Sequence, residues 1–321
     1  MTTMTQWKLP ENLQDLLPAQ AKKLETYRRQ LLDLYENSGY QFIMPSLLEY
    51  EDSLNAHGKD LNLDTFKVVD QLSGKMMGVT SDLTTQASRM DAYLANNKTE
   101  NKFCYAGPVI RTKASQDQSR ELYQVGIEYY GNAKIDADKE VVLTLIKSLK
   151  LLNINNIIID INHLDIYLAL KQQLTLSAID EVKLADAVML KDKQAVQQIL
   201  KKQNDQASIN SVLQLLELYG DKNTLNDLEK LFKNLKVISQ CLGVVKELIQ
   251  LIEQAGATVS LDFADIRGYQ YHTGLIFSAY SPQFKSVIAQ GGRYDNLNEA
   301  IGQQRPATGF SLDLRYLINY L

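Results

Sequence analysis

The sequences Gln-Gly-Gly-Arg-Tyr-Asp-Asn-Leu at 290–297 and Arg-Gly-Tyr-Gln-Tyr-His-Thr-Gly at 267–274 each combine glycines with an arginine. Glycine removes the Cβ and lets backbone approach a small ligand, while guanidinium supplies a planar donor fork suited to an anion. A third segment, Arg-Glu-Leu-Tyr-Gln-Val-Gly-Ile-Glu-Tyr-Tyr-Gly at 120–131, adds geometry. With a period of two, Leu122, Gln124, Gly126, Glu128 and Tyr130 share one face of a strand, so Gln124 and Glu128 stand about 13 Å apart with Gly126 as open floor between them. The same stripe reads equally as solvent-facing polar residues on an edge strand. Arg111 closes the preceding strand, and an antiparallel hairpin through the polar loop 112–119 would bring it to this face. These features describe a small-molecule site.

Elements that could position such a site follow from the punctuation of the chain. Prolines stand at 10, 18, 45, 108, 282 and 306, so none interrupts residues 109–281. Residues 164–256 turn to Leu, Lys, Gln, Asp and Ala, and Leu225, Leu228, Leu231, Phe232 and Leu235 recur at spacings of three and four, which predicts short amphipathic helices. Short segments rich in branched and aromatic residues predict strands at 41–45, 102–111, 121–131, 156–161, 258–264, 273–280 and 286–290. Helices are expected at 19–37, ending at Gly39, and at 82–94, 136–152 and 311–320. The fold class is therefore α+β: a core of residues 1–162 and 258–321, with 163–257 as an inserted helical subdomain.

Composition bounds the function. The 321 residues are 45% hydrophobic and 22% charged, enough for a substantial core. Residues 1–8 are polar, and no segment reaches the ~18 apolar residues needed to span a bilayer, so a cytoplasmic protein without membrane attachment is expected. A net charge of −4 gives no general drive toward nucleic acid. Cys104 and Cys241 lie far apart with no Cys-x-x-Cys partner, which predicts two buried thiols and supports neither a disulfide framework nor a zinc site. His57 and His163 receive no role. For Arg293, Tyr294 and Asp295 a turn that packs strand against helix is preferred to ligand contact. Arg89 and Arg120 are read as bracing acidic neighbours such as Asp82 and Glu121, or as solvent-facing, and Lys201-Lys202 as a solvated helix face.

Six segments, in order, resemble histidyl-tRNA synthetase: 9–18, the Gly-Tyr-Gln-Phe-Ile-Met-Pro of 39–45 (motif 1), the Ser-Asp-Leu-Thr-Thr-Gln-Ala-Ser-Arg of 81–89, the 111–131 hairpin (motif 2), 267–274 and 290–297. The resemblance implies a class II aminoacyl-tRNA synthetase-like antiparallel sheet and a homodimer through the motif 1 region. Departures accompany it. Lys113 stands where the family has the glutamate that helps fix adenine. Tyr316, preceded by Arg315, stands at the motif 3 arginine for the ATP phosphates, and Asp313 replaces a glycine. Losing a charge-assisted phosphate contact costs about 1.5–3 kcal/mol, and an added carboxylate repels the triphosphate.

With motif 3 so altered and no anticodon-binding domain expected, the chain resembles the regulatory subunits of short-form ATP phosphoribosyltransferase. This family does no chemistry itself. The resemblance implies a partnership with the short catalytic subunit at the first step of histidine biosynthesis, in a hetero-octamer of four copies each, and feedback inhibition with L-histidine as allosteric ligand, without cofactor or metal. It implies Asp82 for the ammonium, Arg111 or Arg267 for the carboxylate, Gln124 in support and Glu128 as acceptor of an imidazole N–H. His272, with Tyr271 before it, stands at the family tyrosine facing the ring and is expected to donate a hydrogen bond. Ligand would close the 267–274 loop on the Gln124 and Glu128 face. Two alternatives are a truncated synthetase or histidine-activating ligase, and a synthetase-like RNA-binding module.

Overall fold

The computed structural model describes residues 8–55, 64–94, 100–114, 119–201, 203, 205–269, 271–297 and 304–321. Residues 1–7, His57, the middle of the 112–119 loop, Lys202 and Gln270 lie outside the described residues.

The period-two stripe is real, and it lies in the middle of a sheet. Strand β5 (Asn101–Ile110) pairs antiparallel with β6 (Glu121–Tyr130) over ten residues, so the expected hairpin forms. The other side of β6 pairs with β12 (Ala307–Asp313), which removes the edge-strand reading. Around them run β1 (Gln41–Phe42), β7 (Ile158–His163), β8 (Tyr219–Gly220), β9 (Thr258–Asp262), β10 (Leu275–Tyr280) and β11 (Ala289–Arg293). Together they form a nine-stranded sheet in the order β1-β5-β6-β12-β11-β10-β7-β9-β8. Only the β1·β5 and β7·β9 pairings are parallel among the described residues. A second, three-stranded sheet joins β2 (Leu48–Tyr50), β4 (Met76–Val79) and β3 (Lys67–Val69), none of which the composition signals.

Helices cover both faces of the large sheet. Val125, Ile127 and Tyr129 of β6 point into one core with Leu31 and Tyr35 of α1 (Pro18–Asn37) and Val141 and Leu145 of α4 (Ile135–Leu151). Gln124, Gly126, Glu128 and Tyr130 face the other side, where Leu83 and Ala87 of α3 (Leu83–Leu94) meet Phe103, Tyr105, Tyr130 and Tyr294. The small helix α2 (Glu51–Asn55) packs on the three-stranded sheet, Leu54 occupying the place that a side chain on Gly78 would take.

Between β7 and β9 the predicted helical stretch appears as α5 (Leu164–Lys171), α6 (Ala178–Met189), α7 (Lys193–Leu200), α8 (Gln206–Leu215), α9 (Thr224–Phe232) and α10 (Lys236–Gln254). Ser177, Asp192 and Asp205 accept hydrogen bonds from first-turn amides of α6, α7 and α8, which is why such short helices have defined starts. Their apolar faces share one continuous core with the sheet: Leu184, Val212, Leu228, Val245 and Leu248 belong with Ile159, Leu261 and Phe277. Burial of each such side chain contributes about 1.5–3 kcal/mol.

The C-terminal expectation is corrected. Residues 307–313 form β12, and only α11 (Leu314–Leu317) is helical within 311–320. Asp313 is the pivot: its Oδ1 accepts from the amide of Arg315, capping α11, and from the amide of Tyr123 across the sheet. The strand is held by non-local pairing to β6 and β11, which periodicity within the segment cannot report.

Candidate functional site

Four separate stretches of chain converge on one cavity of about 320 Å³, at the lower end of the range for small-molecule sites. Asp82 sits just before α3, Arg111 just after β5, Gln124 and Glu128 on β6, and Arg267, Tyr271 and His272 on the β9–β10 connection; all seven line it. A smaller cavity of about 260 Å³ adjoins it, sharing Arg111, Gln124, Gln290 and Ser311 and adding Asp313 and Tyr316.

The glycines of these stretches make room, but much of that room goes to the protein's own side chains. A Cβ at Gly126 would fall 2.7 Å from the Tyr105 hydroxyl, so the expected open floor is occupied by that phenol. Cβ atoms at Gly268 and Gly292 would each come within 2.9 Å of the His272 ring, and one at Gly291 would strike Phe277. Gly268 also has φ +65°, in the left-handed region that side chains disfavour.

Both arginines of the glycine-rich stretches are already neutralised. Arg267 Nε donates to Asp265 Oδ1 at 2.8 Å, and its Nη2 reaches Asp265 Oδ2, Ser278 Oγ and Tyr280 OH. This ion pair raises the Arg267 pKa. Arg293 is buried against Asp138 at 2.7 Å and Asp295 at 3.3 Å, with further donation to the carbonyls of Asn132 and Lys134. It braces β11 to α4, as the packing reading expected. Arg111 differs: its Nε donates to the Ser81 carbonyl at 3.0 Å, and no carboxylate pairs with it among the described residues. Arg111 is thus the cation left to meet a ligand anion.

Gln124 is 5% exposed and its amide is spent: Oε1 accepts from Leu83 N at 2.7 Å, while Nε2 donates to Asp82 Oδ1 at 2.9 Å and to Ser311 Oγ at 3.1 Å. It therefore positions Asp82. The Asp82 Oδ1 also accepts from Thr84 N at 3.0 Å, and no donor among the described residues reaches Oδ2, which leaves it for a cation.

Glu128 is 1% exposed and accepts hydrogen bonds from the hydroxyls of Tyr105, at 2.9 Å, and Tyr294. Burial pushes its carboxyl up to about 8, outweighing the lowering by those phenols and Thr84, and Asp82 pushes in the same direction as burial. Glu128 is thus protonated over much of the neutral range and can donate as well as accept. Tyr271 stacks on Tyr294, ring centroids 5.4 Å apart and planes within 11°, forming an aromatic wall beside that carboxyl.

His272 is corrected in its role. Nδ1 lies 3.1 Å from the Arg293 carbonyl, which can only accept, so Nδ1 carries the proton and donates there. What His272 can offer a ligand is an acceptor at Nε2. Burial lowers its pKa to about 4 and keeps the ring neutral.

The bracing expected of two other arginines is also redirected. Arg89 pairs with Glu49 at 2.6 Å, and Arg120 lies over the Phe66 ring with its Nε donating to the Arg111 carbonyl. Glu121 is met by Arg315 instead. Tyr294, set aside as packing, proves to be a wall of the cavity in contact with Glu128. Thr84, Ser278 and Ser311 also line it; they are small polar residues with no periodic signature, and of the three only Thr84 lies in one of the six segments singled out in the sequence, 81–89.

In the adjoining cavity the cationic equipment for a triphosphate is sparse. Lys113 pairs with Asp64 at 3.2 Å, and Tyr316 packs with Phe284 and Tyr320 and accepts from Ser286 Oγ. Arg315 turns to Glu121 and the Gln14 carbonyl. Asp313 adds a carboxylate where a phosphate would bring more negative charge.

The family model for histidyl-tRNA synthetase matches residues 12–317. An ATP phosphoribosyltransferase regulatory subunit from Nitrosospira multiformis is 41% identical over 324 residues, covering 98% of this chain and 81% of the relative. One from Thiobacillus denitrificans is 40% identical over 317 residues, covering 98% of both. Among solved structures, an ATP phosphoribosyltransferase regulatory subunit/histidyl-tRNA synthetase from Bacillus halodurans superposes with a TM-score of 0.86 at 24% identity, covering 100% of this chain and 84% of that one. An ATP phosphoribosyltransferase complex from Thermotoga maritima contains a chain that superposes with a TM-score of 0.68 at 15% identity, covering 91% and 97%. These two likenesses establish the class II synthetase-like α+β fold.

Proposed function

The chain belongs to the family of ATP phosphoribosyltransferase regulatory subunits, and we propose that it is a non-catalytic partner that activates the short catalytic subunit and carries the site for feedback inhibition by L-histidine. The relatives of about 40% identity over nearly the whole chain support the partnership. One observation carries the ligand: the cavity sets Asp82 and Arg111, an anion and a cation, at one end of β6 and the polar groups of Glu128 and His272, with Tyr271, toward the other. That order suits a small zwitterion with a polar ring.

The chemistry follows from the free groups. Asp82 Oδ2 takes the ammonium and Arg111 the carboxylate, each as a charge-assisted hydrogen bond. Glu128 and His272 Nε2 face the imidazole, which has one donor and one acceptor nitrogen when neutral, so a carboxyl that can donate or accept and a neutral acceptor both serve it. Closure of the 267–274 loop on this ligand would alter the surface offered to the catalytic subunit. A coupling of about 1–3 kcal/mol suffices for strong feedback, and linkage requires the partner to change histidine affinity in return. Assembly as four plus four, self-association through the motif 1 region and a cytoplasmic setting belong to the same reading.

Amino-acid activation is the reading least served, because the adjoining cavity meets a triphosphate with Arg111 and the carboxylate of Asp313. The test is phosphoribosyl-ATP formation by a short-form catalytic subunit with and without this chain and with and without histidine. Activation that histidine suppresses supports the reading. Absence of a complex discards the partner, and histidine-dependent exchange of pyrophosphate into ATP would instead establish a ligase.

A further inference from the structure

Away from that cavity, the start of α5 and the second turn of α10 bring three different metal-ligating side chains together. His163 is the last residue of β7 and the residue before α5, Asp165 lies in the first turn of α5, and Cys241 lies on α10. Their ligand atoms all fall within 4.8 Å of one another. The spacing of the cysteines gives no hint of this, because the helices between Asp165 and Cys241 separate them in sequence while the packing of α10 on α5 joins them.

Two further observations concern what this cluster lacks. The Nδ1 of His163 is buried without a hydrogen-bond partner, and its nearest carboxylate, Asp165 Oδ2, stands 3.9 Å away, beyond a hydrogen bond. A buried polar atom left unpaired forfeits its hydration without compensation, so such an orphan marks a place for another atom. Cys241 is 3% exposed and free, among apolar neighbours, whereas the Asp165 side chain is 43% exposed. The cluster thus has a closed end at the sulfur and an open end at the carboxylate.

We propose that His163 Nδ1, Asp165 and Cys241 form a binding site for a zinc-class divalent ion, with the fourth position open to water on the Asp165 side. The donor set, one imidazole, one thiolate and one carboxylate, suits a borderline-soft tetrahedral ion and disfavours magnesium or calcium, which take oxygen ligands. Bonds of about 2.0–2.3 Å put tetrahedral ligands roughly 3.3–3.8 Å apart, so the His163–Asp165 separation of 3.9 Å has a few tenths of an ångström to close and Cys241 closes by rotation of its side chain. Binding replaces the thiol proton, which is released as the ion enters.

The site would act on the fold at a useful point. Leu164, the first residue of α5, donates its amide to the Gly274 carbonyl at 2.8 Å, and His163 pairs with Leu275 in the β7·β10 ladder. A metal at His163 therefore ties α5 and α10 to the strand that begins where the 267–274 loop ends.

The purified chain, stripped with chelator and dialysed against zinc, should retain one ion per chain and melt at higher temperature than the stripped form. Cobalt in its place should give the intense visible bands of a tetrahedral site together with a thiolate-to-metal charge-transfer band. Cys241→Ser should remove that charge-transfer band, and Asp165→Asn, at a half-exposed position that leaves packing intact, should weaken zinc at least about tenfold. Zinc held equally by both variants, binding below one ion per chain, or a cobalt spectrum without the thiolate band would each overturn the site. None of these readouts involves the catalytic subunit or histidine, so their failure leaves the regulatory reading standing.

Discussion

A Cβ placed on Gly309 of β12 would fall within the carboxyl group of Glu128 on β6, its partner in the strand register. The Glu128 side chain lies flat across the neighbouring strand because residue 309 has no side chain, and Tyr294 and Tyr105 then reach it from two sides.

Gly309→Ala is accordingly expected to displace Glu128 and strain β12 against the Ile127 carbonyl. Overpacking of this kind costs about 1–3 kcal/mol. Chemical denaturation should show that loss, and histidine inhibition of the assembled complex should vanish even though none of the side chains assigned to the ligand is altered.

The raised carboxyl gives a pH signature. Glu128 titrates near 4.5 when unfolded and about 8 in the fold, so the folded chain holds a proton that the unfolded chain releases between those values. Its contribution to stability is full below about pH 4.5, falls as pH rises and is gone above about 8. At ~1.4 kcal/mol per pH unit the change is of order 5 kcal/mol as an upper limit. Glu128→Gln should flatten this part of the stability–pH curve, measured by urea denaturation across pH 5–9. A wild type and variant with parallel curves would refute the buried neutral carboxyl.

The two arginines should separate by function. Arg111→Met removes the cation that no carboxylate among the described residues neutralises, and histidine should inhibit the complex about 10- to 150-fold more weakly, equivalent to ~1.5–3 kcal/mol. Arg267→Met mainly frees Asp265 and should weaken histidine less than Arg111→Met does. Isothermal titration of the two variants with histidine makes the comparison, and the reverse order would move the carboxylate subsite to Arg267.

Arg293 should behave as a strut. Arg293→Ala leaves Asp138 buried and unpaired, which costs about 3–5 kcal/mol. Asp138→Asn together with Arg293→Met should recover part of the loss in a thermal melt, since it removes both charges at once.

The β5·β6 hairpin, the face shared by Gln124 and Glu128 and the helical stretch after β7 were legible because they rest on periodicity within a few residues. That the seven candidate residues would line one cavity followed from the order of the motifs that carry them. Strand β12 was not: residues 307–313 become a strand by pairing with β6 and β11, partners distant in sequence. Nor could sequence say which arginine keeps its charge available, because Arg267 and Arg293 look alike in their glycine-rich settings and differ from Arg111 only in which carboxylates fold against them. The glycines show the same division: their lack of a Cβ is written in the sequence, but whether Tyr105, Phe277, His272, Glu128 or a ligand takes the space is decided when distant strands meet. Residue type and local spacing determine what each group can do. Desolvation and charge pairing, which depend on neighbours brought together only by the tertiary fold, decide what it is left to do.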